Sequence, residues 1–217
     1  MSLIMKEDLF EDQRTNLRLC EGAMWLPGFA KSREAFLHTA LQSIVKQAPF
    51  RNMFTPGGFR MSVAMTNCGK LGWVTDLAGY RYEEKDPESG LFWPPMPPIF
   101  LEMAQAAALK AGFPAFFPDA CLINCYEPGA KMSLHQDKNE RDLSAPIVSI
   151  TLGLPATFLF GGLNRADPVQ RLFLIHSDVV VWGGPARLFY HGIIPLKKGY
   201  HPFWGSARIN LTFRKVA

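Results

Sequence analysis

From about residue 115 to its end, the chain breaks into short β-rich runs. They lie at 120–126, 147–154, 157–160, 171–175, 179–182, 188–193 and 208–214, separated by Gly, Pro, Asn and Asp. Runs this short cannot bury a core alone; they must pair with one another, and turn residues every few positions favour antiparallel pairing. The 17 Pro and 18 Gly are spread through the chain, which disfavours a helical bundle and excludes a collagen-like repeat. Two helices are readable before this region. Over 32–48, Phe36, Leu37, Ala40, Leu41, Ile44 and Val45 recur at helical spacing until Pro49. The second starts at Pro97-Pro98, runs through an alanine-rich stretch and ends at Gly112.

The expected architecture is a single domain over 1–217, mainly β (α+β), with a double-stranded β-helix (jelly-roll) core over about 115–217. An extension and helix at about 1–48 support it. The stretch at about 50–98, with Thr55-Pro56-Gly57-Gly58-Phe59 and many aromatics, reads as lid hairpins. Hydrophobic residues make up 48% and charged residues 19%, enough apolar material for a real core and against disorder. A net charge of +4 permits a polyanionic partner without demanding one. The cysteines Cys20, Cys68, Cys121 and Cys125 lack CxxC spacing, which argues against zinc-finger and disulfide frameworks. No apolar run reaches membrane-spanning length, and residues 1–13 mix both charge signs without a signal-peptide core. These features lead to the expectation of a cytoplasmic protein.

His135-Gln136-Asp137 is the first triplet with chemical potential. On a strand, residues i and i+2 share a face, so this imidazole and carboxylate can hold one ion, with His191 on a later strand as third ligand. Two His and one carboxylate on one side of a metal is the arrangement of non-haem Fe(II) oxygenases. A second H-x-D, His176-Ser177-Asp178, directly precedes the apolar run Val179-Val180-Val181-Trp182 and reads more simply as a turn into a strand. His38, in the first helix, and His201, before Pro202, have no evident partner and read as structural or exposed.

The run 208–214 alternates fully. Arg208, Asn210, Thr212 and Arg214 share one face, and Ile209, Leu211 and Phe213 share the other. The apolar face must be core. The polar face points either into a barrel mouth, where its charges would call for an anion such as a dicarboxylate, or into solvent on an edge strand.

Asn124-Cys125-Tyr126, Gly129-Ala130-Lys131, His135-Gln136-Asp137, His191-Gly192 and the 208–214 strand together resemble the AlkB family of Fe(II)/2-oxoglutarate dioxygenases. The similarity extends over about 50–214 and includes Thr55-Pro56-Gly57-Gly58, the stretch 61–69 and Val179-Val180-Val181-Trp182-Gly183-Gly184; the first forty-odd residues match less well. It implies a jelly-roll core holding Fe(II) through His135, Asp137 and His191, which are then the catalytic centre. It implies 2-oxoglutarate held by Asn124, Tyr126, Arg208, Asn210 and Arg214, with O2 as the other co-substrate. The implied reaction is oxidative demethylation of N-alkylated bases such as N1-methyladenine and N3-methylcytosine, releasing formaldehyde and succinate. Single-stranded DNA is the expected partner, with RNA or duplex DNA also open, no membrane, and a monomeric enzyme.

Trp73, Tyr80 and Tyr82 fall in the expected lid, where aromatics commonly pack a lid onto a core. The resemblance implies instead that they surround an extruded base and its backbone, and that Arg165 contacts the nucleic acid. Thr55, Met65, Lys131 and Gln136 are weaker candidates for the same surface. One position departs from the family pattern. Bacterial AlkB carries an acidic residue two positions after the metal Asp, thought to face the base's exocyclic amine, and this chain has Asn139 there. Three other readings share these residues: the same chemistry on RNA or a protein side chain, a metal-free nucleic-acid-binding module, and a cupin-like metal site with no use for 208–214.

Overall fold

The structure, a computed structural model, describes residues 14–217. The charge-mixed stretch 1–13 lies outside the described residues. The elements run β1 (Leu17–Cys20), β2 (Ala23–Leu26), α1 (Glu34–Gln47), β3 (Ala64–Gly69), β4 (Gly72–Asp76), β5 (Gly79–Glu83) and α2 (Pro98–Lys110). There follow β6 (Ala120–Tyr126), β7 (Met132–His135), β8 (Ile147–Gly153), β9 (Ala156–Phe160), β10 (Gln170–Leu174), β11 (Val179–Trp182), β12 (His191–Ile193) and β13 (Arg208–Arg214). A large sheet has the order β1-β2-β11-β8-β13-β6-β3 and a smaller one β10-β9-β12-β7, while β4 and β5 form a separate hairpin. Strands β6 to β13 thus contribute four neighbours to each layer, all antiparallel, which is the expected jelly roll.

Burial on both faces of the large sheet explains its sequence. Its outer face carries the helices: Leu37, Leu41 and Ile44 of α1, and Phe100, Met103, Ala104, Ala107 and Ala108 of α2, pack with Ile123, Ile150, Ile209, Leu211 and Phe213. The alanines of α2 bring that helix close to the strands, and Pro98 at its first turn supplies a preset φ. The inner face meets the small sheet through Leu122, Tyr126, Val180 and Trp182 against Phe158, Phe160, Leu174 and Ile193. A strand sandwiched in this way buries every residue. In β13 all seven positions are buried, including Arg208 at 1% exposure and Arg214 at 5%. The solvated edge-strand alternative for 208–214 is therefore excluded, since β13 lies between β8 and β6 with its polar face toward the inter-sheet space.

Part of the stretch expected to be lid belongs to the core. β3 pairs with β6 along its whole length, Cys68 opposite Cys121, so only β4–β5 stands apart. The run 188–193 contributes only the three residues of β12, because a short 3-10 turn at Gly184–Ala186 bends the chain first. The pair β1–β2, which extends the large sheet from the N-terminal side, carries no strong sequence signal, being only four residues per strand. The second H-x-D is a turn as expected. Ser177 takes a positive φ of 70°, and the Asp178 carboxylate accepts from the backbone N–H groups of Gly28 and Ile175, the Trp25 indole and Arg14. Among the described residues no helix is long and apolar enough to cross a membrane.

Leu211, fully buried between sheet and helices, reports on this core. Leu211→Ala is expected to cost about 2–5 kcal/mol of stability, read as a lowered urea midpoint at unchanged m-value.

Candidate metal centre and its cavity

The small sheet carries both imidazoles. His135 is the last residue of β7 and His191 the first of β12, and the antiparallel register sets them directly opposite each other, ring centroids 4.4 Å apart. Gly192 permits this approach. A Cβ there would lie 2.7 Å from the Met132 carbonyl oxygen of β7, inside any tolerable contact. Asp137 follows β7 and turns back to the pair, with His135 Nε2 3.7 Å from its Oδ1 and His191 Nε2 3.7 Å from its Oδ2. One ligand atom from each of the three lies within 4.8 Å of the others.

Second contacts set the ring protons. The Nδ1 of His135 lies 2.9 Å from the Ser133 carbonyl and that of His191 3.0 Å from the Phe189 carbonyl. A carbonyl only accepts, so in both neutral rings Nδ1 bears the proton and the Nε2 lone pair faces the common point, as a divalent ion requires. Burial, helped by the neighbouring His135, pushes His191 down to about 4, so at neutral pH its Nε2 is free of a competing proton. For Asp137, burial works to raise the carboxyl. The charges of Arg214, His191 and His135 and the Arg214 hydrogen bonds outweigh it and hold the group well below the usual carboxylate range.

The two arginines of β13 are used differently. Arg214 donates from Nη2 and Nε to Asp137 Oδ2 at 2.6 and 3.0 Å, and its Nε lies 3.4 Å from Glu140 Oε1. Glu140 in turn accepts from the Tyr82 hydroxyl at 2.5 Å and from Arg187 Nη2 at 3.0 Å, while Arg187 Nη1 donates to the Asp137 carbonyl at 2.7 Å. Arg208 donates from Nη2 to Thr151 Oγ1 at 2.9 Å and lies 5.0 Å over the Tyr126 ring, but its buried Nε and Nη1 have no hydrogen-bond partner. Asn124 Oδ1, directly across the sheet from Asn210, is also buried without a partner. Asn210 has no capacity left: its amide donates to Ser149 Oγ and the Ile150 carbonyl, and its oxygen accepts from Asn124 and Thr212. It therefore orients Asn124.

Asn124, Tyr126, His135, Asp137, His191, Arg208, Asn210 and Arg214 line one cavity of about 690 Å³. Orphaned donors on a buried guanidinium are costly unless an anion arrives. Arg208 lines the same cavity as the His/Asp/His cluster, and its unpartnered donors have the chemistry to take an anionic group beside a metal held there. Trp73 and Tyr80 stack at the cavity mouth, centroids 5.7 Å apart and 21° from parallel, and Trp73 Nε1 reaches Asn139 Oδ1 at 3.5 Å. Arg165 caps the Tyr190 ring at 5.0 Å beside the same cavity, which Thr55, Lys131 and Gln136 also line, as does Met65 from its buried place in β3. Tyr82 is brought elsewhere. It shares a strand face with Tyr80 but stands two residues further along β5, where its hydroxyl meets Glu140 and Arg214 rather than the cavity. Glu140 and Arg187 escaped the sequence reading because neither stands at a spacing that implies a shared face with the triad.

Comparison with known proteins places these features in a family. The profile of the 2OG-Fe(II) oxygenase superfamily matches residues 22–214. The chain is 57% identical over 210 residues to the alpha-ketoglutarate-dependent dioxygenase AlkB of Escherichia coli, covering 96% of this chain and 97% of that one. Against the protein of the same name from Salmonella typhimurium the identity is 56% over 211 residues, 97% and 98% covered. Among solved structures, that of OsALKBH1 superposes with a TM-score of 0.78 at 28% identity, covering 92% of this chain and 99% of that one.

Gly192→Ala tests the register of the two imidazoles. The added methyl must force β12 and β7 apart, so affinity for a divalent ion is expected to fall at least tenfold in equilibrium dialysis while the far-ultraviolet circular dichroism stays native-like.

Proposed function

This chain belongs to the AlkB family of Fe(II)- and 2-oxoglutarate-dependent dioxygenases, and we propose that it removes N-methyl groups from alkylated bases in nucleic acid, with single-stranded DNA preferred. It acts as a cytoplasmic monomer in this reading. The observation that carries it is the pairing, in one cavity, of a His/Asp/His cluster with a buried guanidinium whose donors are open.

In this proposal His135, Asp137 and His191 hold Fe(II), and Arg208 binds the distal carboxylate of 2-oxoglutarate, assisted by Tyr126 and Asn124. Arg214 contributes through Asp137: it fixes the carboxylate and keeps it ionised, so that one ligand needs no proton removed when the metal enters. The bound ion with its co-substrates supplies an oxidation that yields succinate and CO2 and lets an N-methyl carbon depart as formaldehyde. The protein supplies position and dryness. Phe158 and Trp182 pack beside His191 and shield the centre from water on the core side. At the mouth, the Trp73–Tyr80 stack offers an aromatic face to an extruded base, and Arg165 and Lys131 lie where a phosphate backbone would pass. A single strand exposes its bases without the cost of unpairing, which favours it over a duplex.

The direct test is succinate and formaldehyde release from a methylated oligonucleotide, with and without added iron and 2-oxoglutarate; release that needs neither refutes the proposal. Arg208→Ala is expected to raise the KM for 2-oxoglutarate on the order of 100-fold, the loss of one buried charge pair, with iron affinity unchanged. Asp137→Ala abolishes turnover through lost iron.

Asn139 bears on selectivity. N1-methyladenine and N3-methylcytosine are cationic near neutral pH, and an amide gives them no Coulombic preference over neutral lesions such as N3-methylthymine. Asn139→Asp is expected to shift the ratio of demethylation rates toward the cationic lesions, measured on matched oligonucleotides. An unchanged ratio removes this residue from selectivity.

A further inference from the structure

Three of the five histidines lie outside the cavity, and two of them converge on one carboxylate. Glu34 opens α1, His176 follows β10, and His201 sits in the loop before β13. One ligand-type atom from each lies within 4.8 Å of the other two. His176 Nε2 is 3.1 Å from Glu34 Oε1, and the two imidazole rings are 4.4 Å apart between centroids. Glu34 Oε1 and His176 Nε2 are both buried, and neither has a hydrogen-bond partner beyond this pairing. Trp204 closes the cluster, its ring 6.4 Å from His176 and 5.0 Å from the third histidine, His38.

We propose that Glu34, His176 and His201 form a second metal site, selective for zinc or a similar late first-row divalent ion. Two imidazole nitrogens and one carboxylate oxygen are a donor set that zinc takes readily, with water completing a tetrahedron. An ion here takes over the buried His176–Glu34 pairing and adds the nearby His201 to it. It also ties the first turn of α1 to two loops of the jelly roll, more than 140 residues away in sequence, so its role is a structural staple on the helical layer.

The far ring nitrogens determine how tightly this site binds. The Gly153 N–H donates to His176 Nδ1 at 3.0 Å and the Phe203 N–H donates to His201 Nδ1 at 3.3 Å. Without an ion, both neutral rings therefore carry their proton on Nε2, the reverse of His135 and His191. Zinc entry must move those protons and forfeit the two accepted hydrogen bonds, weakening binding by roughly 10- to 100-fold for each bond lost. The cavity triad fills first and the α1 cluster second.

Zinc titration of the chelator-stripped full chain, followed by calorimetry and by counting bound metal, tests this. The wild type is expected to bind two ions per chain in two resolved steps. Glu34→Gln and His201→Ala, checked for native circular dichroism, are expected to keep only the tighter step. His135→Ala is expected to keep only the weaker one, so a failure of the cavity assignment is distinguishable from a failure of this one. A single ion in the wild type, or a second step that survives both Glu34→Gln and His201→Ala, overturns the proposal.

Discussion

The ion pair between Arg214 and Asp137, 2.6 Å long and more than nine-tenths buried on both sides, is the contact on which the rest of the centre depends. Two charges removed from water at this depth gain little net stability from each other. What the pair supplies is geometry. It holds one carboxylate oxygen against Arg214 and leaves the group ionised, at a fixed distance from two imidazoles whose own orientation is set by strand register. The charge of Arg214 is further balanced by Glu140, and that carboxylate also answers Arg187, so the inward face of β13 is buried without a bare guanidinium at this end.

At the other end of the same strand the balance is deliberately incomplete. Arg208 sits as deep as Arg214, yet two of its nitrogens are buried without a hydrogen-bond partner. A fold can retain such a group only if a ligand completes it or if its cost is carried by the surrounding core. The contrast between the two arginines separates the roles that their shared strand face would otherwise merge. One is bonded within the protein to Asp137, and the other keeps two buried donors without a partner.

The Tyr82 hydroxyl joins the β4–β5 hairpin to this polar core. Since the hairpin also presents Trp73 and Tyr80 at the cavity, that aromatic stack and the Asp137 carboxylate are linked through Tyr82, Glu140 and Arg214.

Much of this was legible beforehand. The turn character of 176–178 and the two faces of 208–214 are local properties, because strand alternation and turn chemistry depend on near neighbours alone. By contrast, β7 ends at His135, and Asp137 reaches the imidazoles from beyond the strand rather than from a shared strand face. Residue type likewise named the atoms able to bind a metal or an anion. Other outcomes needed the third dimension. That the polar face of β13 is buried follows from its place between β8 and β6, and that β3 is core rather than lid follows from its pairing with β6. His201 finds His176 and Glu34 only when three distant segments meet. The proton positions on the four clustered rings are set by backbone groups of Ser133, Phe189, Gly153 and Phe203. The sequence by itself thus determined which side chains can do chemistry; the tertiary structure decided which of them are left with open valences, because satisfaction of a buried polar atom depends on partners the chain brings from elsewhere.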